Sequence, residues 1–448
     1  MSLVGQSLTQ ALQHPSAPAL TPRRVAVIGA GAAGLAAARA LRRRGHDVVV
    51  FEKGPRLGGI WAFEPDPGDD PLGADPVRPY SALYDSLRTN LPRDLMAFVD
   101  YPFDSSGGGD DAWPRFPGHA EVLAYLERFA RDFSLLDAIR FDTQVDSITP
   151  ADGWRVISTR QGRQREEAFD AVAVGNGHYA VPRIPSLPGM GAFPGRVQHS
   201  KTYRRPDGFR GQTVAVLGAS ASGLDLSTEV ATVARHVYWC ADAFAQLPVE
   251  QRVRGNVERT AAVAALLPDG GLRLRNGAEL PAVDVLLLCT GYRYAYPFLP
   301  SGLVDVDDNW VRPLWQDLLH VRHPTLAFIG IPFRVVPFPL FDVQARWFAA
   351  LLSGDVTLPE PDTLLAASER RAAELRAAGV AQRHFHQRSL DCYDYLDALC
   401  AQSGQPPIPD WHRDLAAAVL AHVAANPGRY RDRPLPTFGP TRVAAGTA

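Results

Sequence analysis

Two glycine-rich turns carry the clearest chemistry in this sequence. Gly29-Ala30-Gly31-Ala32-Ala33-Gly34 comes directly after the apolar run Val25 to Ile28. Leu35 to Arg44 then carries helix formers, with Ala38 and Leu41 on one face. Strand, turn and helix in that order make a pyrophosphate cradle. Gly29 permits the tight turn, Gly31 lets the backbone approach the phosphates, and Gly34 allows the helix to pack closely on the strand. The helix N-terminus adds unpaired N–H groups and partial positive charge. Gly45 is placed to end the helix, and His46 to Phe51 reads as the next strand. Glu52, eighteen residues past Gly34, is positioned there to accept hydrogen bonds from a ribose diol.

The turn recurs 189 residues later. Thr213 to Leu217 reads as a strand, Gly218-Ala219-Ser220-Ala221-Ser222-Gly223 as the turn, Leu224 to Val233 as the helix and His236 to Trp239 as the following strand. Ser220 replaces the middle glycine with a small side chain that can also donate a hydrogen bond. Gly218, Ser220, Ser222 and Gly223 are therefore the candidate contacts of a second nucleotide. Two such turns imply two dinucleotides, and flavin with nicotinamide is the common pairing because a hydride passes between them. An NADPH site often has arginine after the second strand, but this chain has Cys240-Ala241-Asp242-Ala243. Lys201 and Arg204, with Arg205, are the candidates to meet a 2′-phosphate from another loop, and NADH stays open beside NADPH. Gly58-Gly59-Ile60-Trp61 follows Glu52 closely. Flavoproteins with this kind of first turn commonly carry a Gly-Gly pair here, which points to FAD, with Gly59 and Trp61 beside it.

Between the turns lies Phe193-Pro194-Gly195-Arg196-Val197-Gln198-His199-Ser200-Lys201-Thr202-Tyr203. With Thr89-Asn90-Leu91-Pro92-Arg93, Cys289-Thr290-Gly291-Tyr292, Leu326 to Gly330 and Gln344-Ala345-Arg346-Trp347, this segment resembles class B flavin-dependent monooxygenases from about Arg23 to about Leu399. The Baeyer–Villiger branch usually closes the fingerprint with Trp and then Pro or Asp. Here Tyr203 and Arg204 stand in those places, so the resemblance is to the heteroatom-oxidising flavin-containing monooxygenases, in a soluble bacterial form.

That resemblance implies FAD reduced by NADPH, O2 as co-substrate, and a flavin C4a-hydroperoxide that oxygenates an amine nitrogen or thioether sulfur of a small molecule. Ketone oxidation of the Baeyer–Villiger kind is the alternative; a nucleotide-binding redox sensor or uncoupled NADPH oxidase is the second. Asn90 is implied as the catalytic side chain, beside flavin and nicotinamide. Thr290 and Gly291 would lie on the NADPH side. Phe193, Gly195, His199 and Tyr203 are expected to be structural. The segment Phe338 to Gln344 precedes a helical stretch through Leu352, and Gln344 with nearby N–H groups at that helix start would sit at the flavin pyrimidine ring, where a helix N-terminus stabilises negative charge.

Positioning these groups takes a large, ordinary globular chain: 448 residues, 46% hydrophobic and 21% charged, with a formal net charge of −2. So near-neutral a balance argues against a nucleic-acid partner. Cys240, Cys289, Cys392 and Cys400 show no CxxC spacing, which weighs against a disulfide reductase or a metal site and suits a cytoplasmic home. His384, His386, Cys392 and Cys400 read as part of a solvated helical tail. No apolar run reaches membrane-spanning length, and a homodimer stays open. The expected fold is α/β, with two Rossmann-like dinucleotide-binding domains of parallel sheets and helices on each face. Residues 1–22 read as a flexible extension, 23–188 as the first part of the FAD domain, 189–304 as the inserted NADPH domain, and 305–448 as the rest of the FAD domain with C-terminal helices.

Overall fold

The computed structural model describes residues 21–75, 81–389, 391–426 and 428–435. The expected N-terminal extension, apart from Thr21 and Pro22, and the end of the chain lie outside these residues. β1 (Arg24–Ile28), α1 (Ala32–Arg43) and β2 (Asp47–Phe51) follow one another as the hydropathy pattern requires. The two strands pair in parallel from Arg24↔Asp47 to Ile28↔Phe51. After α2 (His119–Asp132), β3 (Ala171–Val174) pairs in parallel with the other edge of β1.

The chain then leaves this sheet. β4 (Arg196–His199), β5 (Thr213–Leu217), α3 (Ala221–Val230), β6 (His236–Cys240) and β7 (Val285–Leu288) belong to a second, six-stranded sheet. β8 (Leu326–Phe328) returns to the first sheet, in parallel beside β3. α4 (Pro337–Leu352) and α5 (Cys392–Gln402) follow. The result is the expected α/β architecture, a second Rossmann-like unit inserted between two parts of the first.

The sheets depart from the expectation in two ways. Each carries antiparallel pairs at an edge: residues 314–315 with 319–320 in the first, and 253–254 with 257–260 in the second. Nor do helices cover both faces. Val25, Val27, Val48, Val50, Ala171 and Ala173 pack on the helical side. The alternate residues Ala26, Ile28, Val49, Phe51, Val172 and Val174 pack instead on Ile148, Trp154, Val156 and Phe169 of an antiparallel three-stranded layer at 143–169. The second sheet repeats this plan. Val214 and Val216 face Leu226 and Val230 of α3, whereas Ala215 and Leu217 face Val263, Leu266, Leu272 and Leu274 of another small β layer. An all-apolar parallel strand states that both faces are buried, not by what.

The stretch read as a solvated tail is core. Cys392, Tyr395, Leu396, Leu399 and Cys400 form a buried stripe on α5 at helical spacing, and α5 packs beside α4. His386 is buried too, with Nδ1 2.8 Å from Asp317 Oδ1 and Nε2 accepting the Val311 N–H.

Candidate active site

The two glycine turns are near copies in space. Gly29 and Gly218 have φ of +98° and +118°, backbone that favours glycine. A Cβ on Gly29 would lie 2.7 Å from the Gly175 carbonyl oxygen, and one on Gly218 would lie 2.3 Å from that of Cys289. A Cβ on Gly34 would lie 1.8 Å from the Gly29 oxygen, and one on Gly223 1.9 Å from the Gly218 oxygen. Both first glycines donate their N–H to the end of the next strand, Gly29 to Phe51 at 2.8 Å and Gly218 to Cys240 at 3.0 Å. Gly31 and Ser220 stand at the helix N-caps without capping by a side chain, and neither helix has an acidic residue in its first turn. Helix starts ordinarily attract such acids. These two leave their first-turn N–H groups for an anionic ligand.

The first cradle has a second wall. The Gly58 N–H donates to the Ala30 carbonyl at 2.9 Å, and a Cβ on Gly59 would come within 3.0 Å of Gly31 Cα. The Gly-Gly pair thus lies on the turn, and the Gly59–Trp61 helical turn sets the Trp61 ring edge-on to Phe338 at the start of α4, 6.4 Å away. Glu52 is buried where β2 ends. Its Oε2 accepts the Ala30 N–H and its Oε1 the Gly54 N–H, each at 2.8 Å. Burial pushes its pKa up while these N–H groups pull the other way. A carboxylate oxygen accepts more than one hydrogen bond, so Glu52 still suits a ribose diol.

In the second cradle the corresponding residue is Ala241, which brings no carboxylate to the place of Glu52, and the next residue, Asp242, accepts from Arg275 at 2.8 Å. Trp239, which sequence reading treated only as strand, donates its indole N–H to the Gly218 carbonyl at 2.8 Å and braces the turn. Its position one residue before the strand end was the available signal.

Two expectations need correction. Lys201 and Arg204 are buried, not poised for a 2′-phosphate. Lys201 Nζ donates to the carbonyls of Gly73 and Ala180 at 2.8 and 2.7 Å. Arg204 donates to the carbonyls of Glu64, Lys201, Tyr203 and Ser81. Burial lowers the Lys201 pKa to about 8. Gln344 lies in the middle of α4 with no exposure; its Oε1 accepts the Gly330 N–H at 2.8 Å and its Nε2 donates to the Tyr395 hydroxyl at 2.7 Å. It anchors the Gly330 turn instead of reaching a ligand. At the start of α4, Pro337 and Pro339 supply no N–H, which weakens the proposed helix-end contact. Thr290 and Gly291 form a joint: the Thr290 hydroxyl donates to the Arg183 carbonyl, and the Gly291 carbonyl accepts the Arg183 N–H at 2.8 Å.

The fingerprint residues lie just before, along and beyond β4. The Phe193 ring sits where a Gly195 Cβ would be, 2.7 Å from it. His199 is fully buried, with Nδ1 accepting the Lys201 N–H at 3.1 Å and Nε2 3.2 Å from the Gly291 carbonyl oxygen. These contacts assign the neutral Nε2–H tautomer, and burial takes its pKa down to about 4. Tyr203 is buried against Tyr84 and Phe209. Asn90, by contrast, is exposed, on a loop held by Thr89 N–H to the Pro117 carbonyl at 2.8 Å and Arg93 N–H to the Arg115 carbonyl at 2.7 Å.

The chain matches the flavin-binding monooxygenase-like family over residues 22–247 and 244–413. It belongs to that family. It is 42% identical over 435 residues to flavin-containing monooxygenase FMO GS-OX-like 4 of Arabidopsis thaliana, covering 93% of this chain and 96% of that protein. S-allyl-L-cysteine S-oxygenase from Allium sativum superposes with a TM-score of 0.87 at 40% identity, over 93% of this chain and 96% of that one. Tmm from Pelagibacter sp. strain HTCC7211 gives 0.78 at 25% identity, over 92% and 93%. Cyclohexanone monooxygenase, at 16% identity and 0.59, shares the fold. The protein is a flavin-containing monooxygenase that oxygenates heteroatoms, with FAD, NADPH and O2 as cofactors and co-substrate. The two cradles, whose Gly29, Gly34, Gly218 and Gly223 leave no room for side chains, fit two dinucleotides. No helix among the described residues is long and apolar enough to cross a membrane.

Proposed function

We propose that this monooxygenase is an S-oxygenase of small thioethers: thioether, O2, NADPH and a proton give sulfoxide, NADP+ and water. The observation that carries the reading is the 40% identity and TM-score of 0.87 with S-allyl-L-cysteine S-oxygenase over nearly both whole chains. Amine nitrogen, also a soft nucleophile, is the second reading. The Baeyer–Villiger alternative has the weaker support, because cyclohexanone monooxygenase, at 16% identity, shares only the fold.

Gly29, Gly31, Gly34, Glu52, Gly59 and Trp61 would hold FAD, in the unit formed by residues 23–188 and 305 onward. Gly218, Ser220, Ser222 and Gly223 would hold NADPH in the unit of 189–304. When bound, the flavin supplies oxygen activation and the nicotinamide two electrons. The chain's own part is to hold both dinucleotides, exclude water and orient the sulfur. Asn90, the exposed amide of its loop, would hydrogen-bond at the reacting centre. Burial keeps His199 neutral near pH 7 and both its ring nitrogens are engaged, so it would hold the Gly291 joint and move no proton.

The test supplies FAD-loaded protein with NADPH and, side by side, an S-alkyl cysteine, a tertiary amine and a cyclic ketone. Mass spectrometry should find one sulfoxide formed per NADPH oxidised, and Asn90→Ala should lower sulfoxide more than NADPH consumption. Turnover of the ketone alone would overturn the reading.

A further inference from the structure

We infer that Arg431 is a positioning residue that ties the Asn90 loop to α3, so that NADPH binding at the start of that helix is transmitted to the loop. The inference rests on the proposed roles of Asn90 and of the Gly218–Gly223 turn.

One guanidinium makes the connection. Arg431 Nη1 and Nη2 donate to the two oxygens of Asp225 at 2.9 and 2.8 Å, and Nε donates to the Thr89 carbonyl, next to Asn90, at 2.9 Å. Asp225 stands on α3 five residues beyond the Ser220 N-cap. The Tyr84 hydroxyl, from the same segment as Asn90, also donates to Asp225 Oδ2 at 2.8 Å. The two ion-pair side chains are 17% and 18% exposed, so water screens the pair only in part.

The arrangement resists rotation because a guanidinium facing a carboxylate with two parallel hydrogen bonds is fixed in angle as well as distance. The third donor of the same plane then fixes the Thr89 carbonyl. A lysine ammonium cannot hold three acceptors in that plane. Arg431 is itself held from behind: Arg88 Nη2 donates to the Arg431 carbonyl at 3.0 Å, and Arg88 Nε to the Phe116 carbonyl at 3.2 Å. The loop carrying Asn90 is thus fastened on one side to residues 115–118 and on the other, through Arg431, to the nicotinamide helix. The bridge sets a spacing between two functional elements. A cavity of about 210 Å³ opens beside the bridge, lined in part by Tyr84, Arg88, Asp225, Glu229 and Arg431.

Hydrogen–deuterium exchange on the FAD-loaded enzyme, with and without saturating NADP+, reads the coupling without any organic substrate. In the wild type NADP+ should slow exchange in residues 84–93 by about fivefold or more, the lower end of ordinary coupling between sites. Arg431→Ala should abolish that protection while NADP+ still binds by calorimetric titration. Guanidinium ion added to the cavity so formed should restore it. Full protection in Arg431→Ala, or none in the wild type, would overturn the inference. If Arg431→Ala fails to fold or to retain FAD, Asp225→Asn decides, since it keeps the side-chain shape and removes the charge; undiminished protection there also overturns it. A wild type that does not bind NADP+ would overturn this inference and the cradle assignment together. Absence of sulfoxide alone would count only against the proposed substrate class.

Discussion

Gly31 and Gly34 make different predictions from the same turn. A Cβ on Gly34 would lie 1.8 Å from the Gly29 oxygen and 2.9 Å from its carbon, where contacts under 3.0 Å essentially never occur. The carbonyl belongs to the buried turn and cannot swing away as a flexible side chain would, so strand and helix must separate by roughly 1 Å, at a cost of about 3 kcal/mol or more. Gly34→Ala should therefore lower the thermal midpoint of the FAD-free protein as well as its FAD content. A Cβ on Gly31 meets Gly59 Cα at 3.5 Å and its nitrogen at 3.8 Å, both ordinary contacts, and φ there is −76°. The FAD-free Gly31→Ala protein should lose no more than about 1 kcal/mol, the scale of a changed helix cap. Yet the added methyl occupies the space through which a pyrophosphate approaches the backbone, so FAD affinity should fall by about tenfold to a hundredfold, equivalent to about 1.4–2.8 kcal/mol. Paired measurements of unfolding without FAD and of FAD binding by fluorescence quenching separate the two effects. Gly31→Ala binding FAD as tightly as the wild type would refute the placement of the phosphates in this turn.

Other outcomes follow from the same geometry. His199 has its pKa lowered by burial to about 4, below its usual 6.5, so the unfolded chain takes up its proton first. Its contribution to stability is whole above about pH 6.5 and is lost as pH falls toward 4. His199→Phe should cost about 1–3 kcal/mol at neutral pH by leaving the buried Lys201 N–H unpaired, and should make the acid decline of the melting temperature shallower. Ala241→Asp places a carboxylate where Glu52 stands in the first cradle; the ratio of kcat/KM for NADH to that for NADPH should rise by about tenfold, through repulsion of the 2′-phosphate. Lys201→Met should leave that ratio unchanged while lowering the melting temperature, because the ammonium holds the carbonyls of Gly73 and Ala180; a selective loss of NADPH use would restore the phosphate role.

By itself the sequence determined the two nucleotide turns, because their requirements are local. Gly29, Gly34, Gly218 and Gly223 are dictated by backbone that admits no Cβ, and the identical spacing to the end of the next strand repeats the same short-range geometry. The stripe of Cys392, Tyr395, Leu396, Leu399 and Cys400 was equally legible as a buried helix face, although its cysteines and the preceding His384 and His386 pointed toward solvent. Tertiary structure alone decided what covers each sheet, since an apolar strand packs equally well under a helix or a β layer. It also decided the fate of the polar side chains. Lys201, Arg204 and Gln344 looked available for a ligand, but each is used by backbone or side-chain partners of which at least one lies 51 residues or more away in sequence. Arg431 shows the same limit most plainly: its carbonyl and carboxylate partners lie 342 and 206 residues away. A hydrogen bond's range is a few ångströms in space, and nothing in residue order encodes which distant acceptor folding will bring within it.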